Sequence, residues 1–175
     1  NPDILSILDE HQRRISAIAL VHERLYQSSE VRRVAMADYV DVLLSSLYRK
    51  LVPEEREITL VTELGEFDLS IDLAVPCGLI INELFSNALV HGFSHGQHGS
   101  GSVEVKLYLL AKECVIFVSD SGRGLPVEVT TRTGSMGFEI VAILVEQLEG
   151  SFRLIGGKGT TFEVRFPVPR DGAVS

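Results

Sequence analysis

Apolar residues recur along the start of the chain at Ile4, Leu8, Ile15, Ile18 and Leu25, and His11 and His22 fill the two gaps in an alternating four-three spacing. That is a heptad seam, widened by a second row at Leu5, Ala19 and Tyr26. A lone helix with so broad a stripe has to pack on another helix or on a second copy of itself. The pattern breaks at Ser28, Ser29 and the charged run from Glu30 to Arg33. It resumes from about Ala37 to Leu51, where Val40, Leu43, Leu44, Leu47 and Leu51 share one side and Pro53 stops the helix.

From Glu57 onward the texture is mixed. Ile58 to Leu64 alternates like a strand, and Asp72 is placed to cap a long apolar helix running to about His91, with Gly92 as its stop signal. A loop rich in glycine, serine and histidine spans Gly92 to Ser102. Val103 to Leu110 and Cys114 to Ser119 read as a hairpin turning around Ala111 to Glu113. A polar loop leads to Ser135, and a helix follows from about Met136 to Leu148, stopping at Gly150. Ser151 to Ile155 and Thr160 to Phe166 form a closing hairpin across Gly156 to Gly159. This order predicts an α+β fold, a two-layer sandwich with helices on one face of a mixed, largely antiparallel sheet, behind a helical arm. The pattern divides the chain into a helical region over 1–33, a mixed domain over 34–170 and a tail over 171–175.

Composition narrows the class. The 175 residues are 45% hydrophobic and 23% charged, enough apolar content for a core without staples and too much for a disordered chain. Cys77 and Cys114 both sit in apolar runs, which fits small core residues of a reduced, cytoplasmic protein rather than a disulfide framework. The longest apolar run, Leu73 to Ile81, is interrupted by Pro76 and Gly78 and falls short of the roughly 20 residues that span a bilayer. No signal peptide is visible, and an opening at Asn1 reads as a piece of a longer chain. A net charge of −8 excludes a general nucleic-acid binder and requires any anionic ligand to be held locally, by backbone amides, a few basic groups or a metal ion.

The helix from Asp72 to His91 holds the first candidate chemistry. Leu79, Ile80, Ile81, Leu84, Phe85, Ala88 and Leu89 go nearly all the way round it, and against them Glu83, Asn87 and His91 recur every four residues as one polar stripe. Each such group costs roughly 1–3 kcal/mol if buried unpaired. One alone suits a hydrogen-bonded seam against the sheet; three in register point to a site. Next, the apolar strand from Val115 delivers Asp120 at its end, and Gly122 and Gly124 let backbone approach a ligand. A carboxylate so placed accepts a hydrogen bond from an exocyclic amine such as that of adenine, although the motif by itself also suits an ordinary strand exit. Gly134-Ser135-Met136-Gly137 opens a helix whose N-terminal amides suit a phosphate. Gly157-Lys158-Gly159-Thr160-Thr161 is not a P-loop, because no serine or threonine follows the lysine directly and a strand comes next.

Together and in this order, the four features resemble the GHKL ATPase superfamily, and within it the sensor histidine kinases. Asn82-Glu83-Leu84-Phe85-Ser86-Asn87-Ala88 is similar to the family's N box, and Asp120 to Gly124, Gly134 to Gly137 and Gly157 to Thr161 are similar to its three glycine boxes. Ala19-Leu20-Val21-His22-Glu23-Arg24-Leu25-Tyr26 resembles the dimerisation segment of the HisKA_2 group, whose phosphoacceptor histidine lies on a preceding helix and so upstream of residue 1. The resemblance implies a Bergerat-type fold and the ATP-binding catalytic domain of a two-component sensor histidine kinase. Such a domain transfers the γ-phosphoryl group of ATP to a histidine, for passage to the receiver domain of a response regulator. ATP and Mg²⁺ are the implied cofactors, with Asn87 coordinating Mg²⁺, Glu83 as catalytic base or water-polarising carboxylate and His91 on the phosphate side. By the same resemblance Asp120 receives the adenine amine, and Gly122, Gly124, Gly159 and Thr160 shape and support that contact. Gly134 and Gly137 frame the ATP lid, and the N-terminal helices form a homodimer. Two positions depart from the pattern: Val90 stands where many relatives have lysine, and Phe138-Glu139 follows Gly137 in place of leucine and a polar residue.

His22, followed by Glu23, reads as a seam histidine ahead of a phosphoacceptor, and His11 suits a solvated or seam position. His91, His95 and His98 have no cysteine or acid nearby to complete a metal cluster. Two other functions fit the same fold: a non-catalytic phosphotransfer or scaffold module, and an anti-sigma-factor serine kinase. The intact Asn87, Asp120 and glycine boxes weigh against the first, and the heptad seam weighs against the second.

Overall fold

The computed structural model describes residues 33–53, 55–93, 100–124, 136–157, 159–169 and 173–174. The expected helical arm with His11 and His22 lies outside these residues, as do Gly134, Lys158, His95 and His98.

β1 (Arg33–Ala35) leads directly into α1 (Met36–Leu51). Met36, Tyr39, Val40, Leu43, Leu44 and Leu47 make its buried stripe. Asp38 lies in the first turn and Arg49 and Lys50 in the last, each at the end that the helix dipole favours. β2 (Ile58–Leu64) and β3 (Asp68–Ser70) follow, then α2 (Ile71–Asn87), which continues as a π turn over Ala88–Gly92. β4 (Gly101–Leu110) and β5 (Glu113–Asp120) form a hairpin. α3 (Met136–Gln147) then carries the chain to a second hairpin, β6 (Ser151–Gly157) with β7 (Gly159–Pro167). β8 (Ala173–Val174) completes a small sheet in the order β1-β3-β8.

The main sheet runs β2-β4-β5-β7-β6. β2 pairs with β4 in parallel, because α2 carries the chain back between them, and the remaining pairings are antiparallel. The expected two-layer α+β architecture is therefore what forms. Strand alternation turns Val103, Val105, Leu107, Cys114, Ile116, Val118, Phe162, Val164 and Phe166 toward the helices, in one apolar cluster with their buried faces. On the opposite face Glu163, only 4% exposed, accepts two hydrogen bonds from Arg153 (3.0 and 3.1 Å) and one from Arg165 (2.6 Å). The segment Ile71–Gly92 is apolar and long enough to cross a membrane by composition, yet 72% of its most apolar window is buried here, as in a core helix.

One local expectation changes, and two turns gain detail. Ser70, not Asp72, is the N-cap residue of α2; no side chain caps that helix, and Asp72 sits in its first turn where the dipole favours its charge. The hairpin between β4 and β5 turns on Ala111 and Lys112, both left-handed at φ 48° and 75°, with no glycine or asparagine. The Val168 N–H holds that turn by donating to the Lys112 carbonyl at 2.7 Å. Past α3, it is Glu149 rather than Gly150 that takes the left-handed backbone, at φ 53°.

Candidate functional site

α2 is apolar on nearly all sides because it packs against α1, α3 and the sheet: Ala74, Cys77, Ile80, Ile81, Leu84 and Phe85 are fully buried. In that setting Asn82, Glu83 and Ser86 are buried too, and Asn87 is half-buried at the helix end. Asn82 Nδ2 donates to Glu83 Oε1 at 3.2 Å. Asn82 Oδ1, Ser86 Oγ and Asn87 Nδ2 are buried with no hydrogen-bond partner. Orphaned groups of this kind cost roughly 1–3 kcal/mol each in a free protein, a cost that a polar ligand or water relieves.

The start of α3 sits over this seam. A Cβ on Gly137 would stand 3.0 Å from Glu83 Oε2 and 3.4 Å from Asn87 Nδ2, so glycine is what lets the helix N-terminus come this close. Phe138 has a partner of its own: its ring lies 5.4 Å from that of Phe162, which in turn stacks on Phe152. These rings tie the α3 start to β7, two residues from Thr160. The first turn of α3 thus packs directly against a carboxylate and a carboxamide of α2, at the helix end whose dipole favours an anion.

The second half of the site is the tip of β5. Asp120 is 7% exposed, and the Gly122 N–H donates to its Oδ1 at 2.9 Å. Thr160, its register partner on β7, donates through both hydroxyl and backbone N–H. Burial pushes the Asp120 carboxyl above the ordinary aspartate value, and those three hydrogen bonds pull the other way.

The π turn joins the halves. Gly92, its last residue, lies against Asp120, where a Cβ would stand 3.1 Å from Oδ1. The Gly92 carbonyl accepts the Arg123 N–H at 3.1 Å, and a Cβ on Gly122 would collide with that carbonyl. Gly124 and Gly159 have left-handed backbone at φ 73° and 90°. Single π turns inside helices recur at functional sites. Here one carries the chain from Asn87 to the strand tip.

Of the residues singled out from the sequence, the fold gathers Glu83, Asn87 and Gly137 at one end. At the other it gathers Asp120, Gly122, Gly124, Gly159 and Thr160, with Gly92 as the link. His91 is exposed on the π turn, in contrast to the buried Glu83 of the same stripe, and Val90 is 45% exposed. Asn82 and Ser86 carry no role of their own in the sequence pattern, although they form a second polar pair four residues apart on the same apolar helix. Gly92 likewise stands in the sequence only as a helix stop.

Among the described residues no group of three or more His, Cys, Asp or Glu can hold a metal. The donors at the end of α2 suit a shared site instead. Asn87 Oδ1 and the Glu83 carboxylate are hard oxygen donors, and Mg²⁺ takes one or two such groups and completes its shell with water and phosphate oxygens. The unpartnered Asn87 Nδ2 is a donor, so it suits a phosphate oxygen beside such an ion, while Oδ1 of the same amide is the atom that would face the ion itself.

Residues 74–170 match a family model described as histidine kinase-, DNA gyrase B- and HSP90-like ATPase, and residues 1–51 match one described as histidine kinase. The chain is similar to the sensor histidine kinase PdtaS of Mycobacterium tuberculosis, 33% identical over 171 residues that cover 94% of this chain and 33% of that protein. It is 27% identical to blue-light-activated histidine kinase 2 of Erythrobacter litoralis, over 93% of this chain and 48% of that one. The solved histidine kinase domain of the Erythrobacter litoralis EL346 blue-light-activated kinase superposes with a TM-score of 0.80 at 24% identity, covering 89% of this chain and 73% of that one. The chain spans about a third of the length of the mycobacterial relatives it matches.

Proposed function

The chain belongs to the histidine kinase-, DNA gyrase B- and HSP90-like ATPase family, and from that membership we propose that it is the ATP-binding catalytic part of a cytoplasmic two-component sensor histidine kinase. It binds Mg-ATP and donates the γ-phosphoryl group to a histidine on a helix upstream of residue 1, from which a response-regulator aspartate takes it. The N-terminal helices pair two copies. The match of residues 1–51 to a histidine kinase model supports this reading over a serine kinase of the same fold. The observation that carries it is the junction at Gly92, which sets the buried Asp120 carboxylate beside the end of the helix bearing Glu83 and Asn87.

Each residue has a defined task in that reading. Asp120, oriented by Gly122 and Thr160, accepts a hydrogen bond from the exocyclic amine of adenine, and Gly122, Gly124 and Gly159 keep side chains out of the way. Asn87 holds Mg²⁺, which neutralises part of the triphosphate charge when bound. Glu83, fixed by Asn82, orients the attacking group or takes its proton. His91 serves the phosphate side from its exposed position, and Gly134 and Gly137 frame the lid. Phosphoryl transfer asks for positioning and charge stabilisation more than covalent help, so these groups suffice. In a chain of net charge −8 the triphosphate depends on such local donors.

A chain extended upstream through its preceding helix tests this with γ-labelled ATP. Acid-labile, base-stable phosphate is expected, and Asn87→Ala and Asp120→Ala remove it. Acid-stable phosphate would assign the serine-kinase chemistry instead.

A further inference from the structure

Arg56 lies in the connection between α1 and β2, half-buried, and its Nη1 donates to the Phe93 carbonyl at 3.1 Å. Phe93 is the first residue beyond the π turn. Its ring lies so close over Gly101, where β4 begins, that a Cβ there would collide with it. Gly101 in turn donates its N–H at 3.0 Å to the carbonyl of Glu57, the neighbour of Arg56. Arg56, Phe93, Gly101 and Glu57 therefore close a ring of contacts around the point where the chain leaves the π turn. One residue further in, Gly92 meets the Asp120 carboxylate and accepts the Arg123 N–H.

From this geometry we infer that Arg56 is a positioning residue for the nucleotide base, acting through Phe93 and Gly92 on Asp120. The inference rests on the proposed nucleotide site and deepens it. A π turn has one residue more than the α-helical turn it replaces, and its exit can relax back by a single residue unless held. Such a slip would draw Gly92 away from Asp120 and release the Arg123 amide, leaving the carboxylate misplaced for the adenine amine. A guanidinium donating to a carbonyl makes a charge-assisted bond, stronger than a neutral one. Lysine keeps the charge and a donor but loses the planar fork.

Calorimetric titration of Mg-ATP into the 175-residue chain tests the role, with urea unfolding followed in parallel. Arg56→Met keeps the apolar stem and is expected to weaken binding about tenfold, the equivalent of one charge-assisted hydrogen bond. Arg56→Lys is expected to recover most of that loss, and it serves as the readout should Arg56→Met fail to fold. Combined with Thr160→Val, which loosens the same carboxylate directly, Arg56→Met should weaken binding by less than the product of the two single effects. Wild-type affinity in a folded Arg56→Met protein, even with a lowered urea midpoint, would overturn the inference, and so would strict multiplicativity with Thr160→Val. Failure of the wild-type chain to bind Mg-ATP would instead remove the nucleotide site on which the inference stands.

Discussion

Asp120 is buried, and burial lifts its carboxyl above the ordinary aspartate value against the pull of Gly122 and Thr160. In the proposed site the adenine amine donates more strongly to the ionised form than to the acid, so affinity should be full above the raised pKa and fall as pH drops through it. That loss should begin at higher pH than the ordinary aspartate range, about 3.9, would give. The comparison that isolates it is Asp120→Ala, whose weaker binding keeps only the nucleotide's own pH dependence; parallel curves for the two proteins would contradict the assignment. Glu163 shows the opposite case. Hydrogen bonds from Arg165 and then Arg153 hold its carboxyl below the usual glutamate value. It therefore stabilises the fold above the unfolded glutamate pKa, about 4.3, and the contribution is lost as pH falls through the lowered value. Both arginines are partly exposed and screened, so Glu163→Gln should cost only about 1 kcal/mol in urea unfolding at pH 7, and the gap should close in acid. Glu83 and Asn87 are legible in the sequence because a carboxylate and a carboxamide four residues apart stand out on an apolar helix. The contact between Gly92 and Asp120 is not, since nothing local to either residue encodes the other's position.

Helices and hairpins follow from local periods, three or four residues for α1, α2 and α3 and two for the paired strands, and the sequence shows them at nearly their observed bounds. β1, β3 and β8 are three, three and two residues long, too short for alternation to register, so the small sheet they form is invisible before the chain is folded. β2 is an edge strand with only Ile58 buried, and its parallel pairing with β4 depends on where α2 packs. The π turn escapes notice because Ala88, Leu89 and Val90 continue the apolar run of α2. The tight turn at Ala111 and Lys112 gives a clean test at this scale. Left-handed backbone disfavours both residues, at roughly 1–2 kcal/mol each, whereas Asn-Gly suits such a turn. Replacing the pair with Asn-Gly should raise stability by about 1 kcal/mol in chemical denaturation, and a loss of stability would show that the Lys112 side chain has a packing role that outweighs the relief.

At the scale of the molecule, α1, α2 and α3 cover one face of the main sheet among the described residues, and the candidate site lies where α2, α3 and the β5 tip converge. The unpartnered polar atoms on α2 are groups a polar ligand can satisfy, so a ligand seated there should stabilise the protein. At a hundredfold excess over Kd the gain is about 2.7 kcal/mol. ATP with Mg²⁺ should raise the unfolding midpoint more than ATP with a chelator, and Asn87→Ala should erase that difference; an undiminished difference in the variant would place the metal elsewhere. Asp120→Ala should lower both curves together.

The most direct measurement is a calorimetric titration of Mg-ATP into wild type, Asn87→Ala and Asp120→Ala side by side. One saturable site in the wild type is predicted, with binding lost or severely weakened when either residue is truncated. Equal binding by all three proteins, or none by the wild type, would contradict a nucleotide site between α2 and β5.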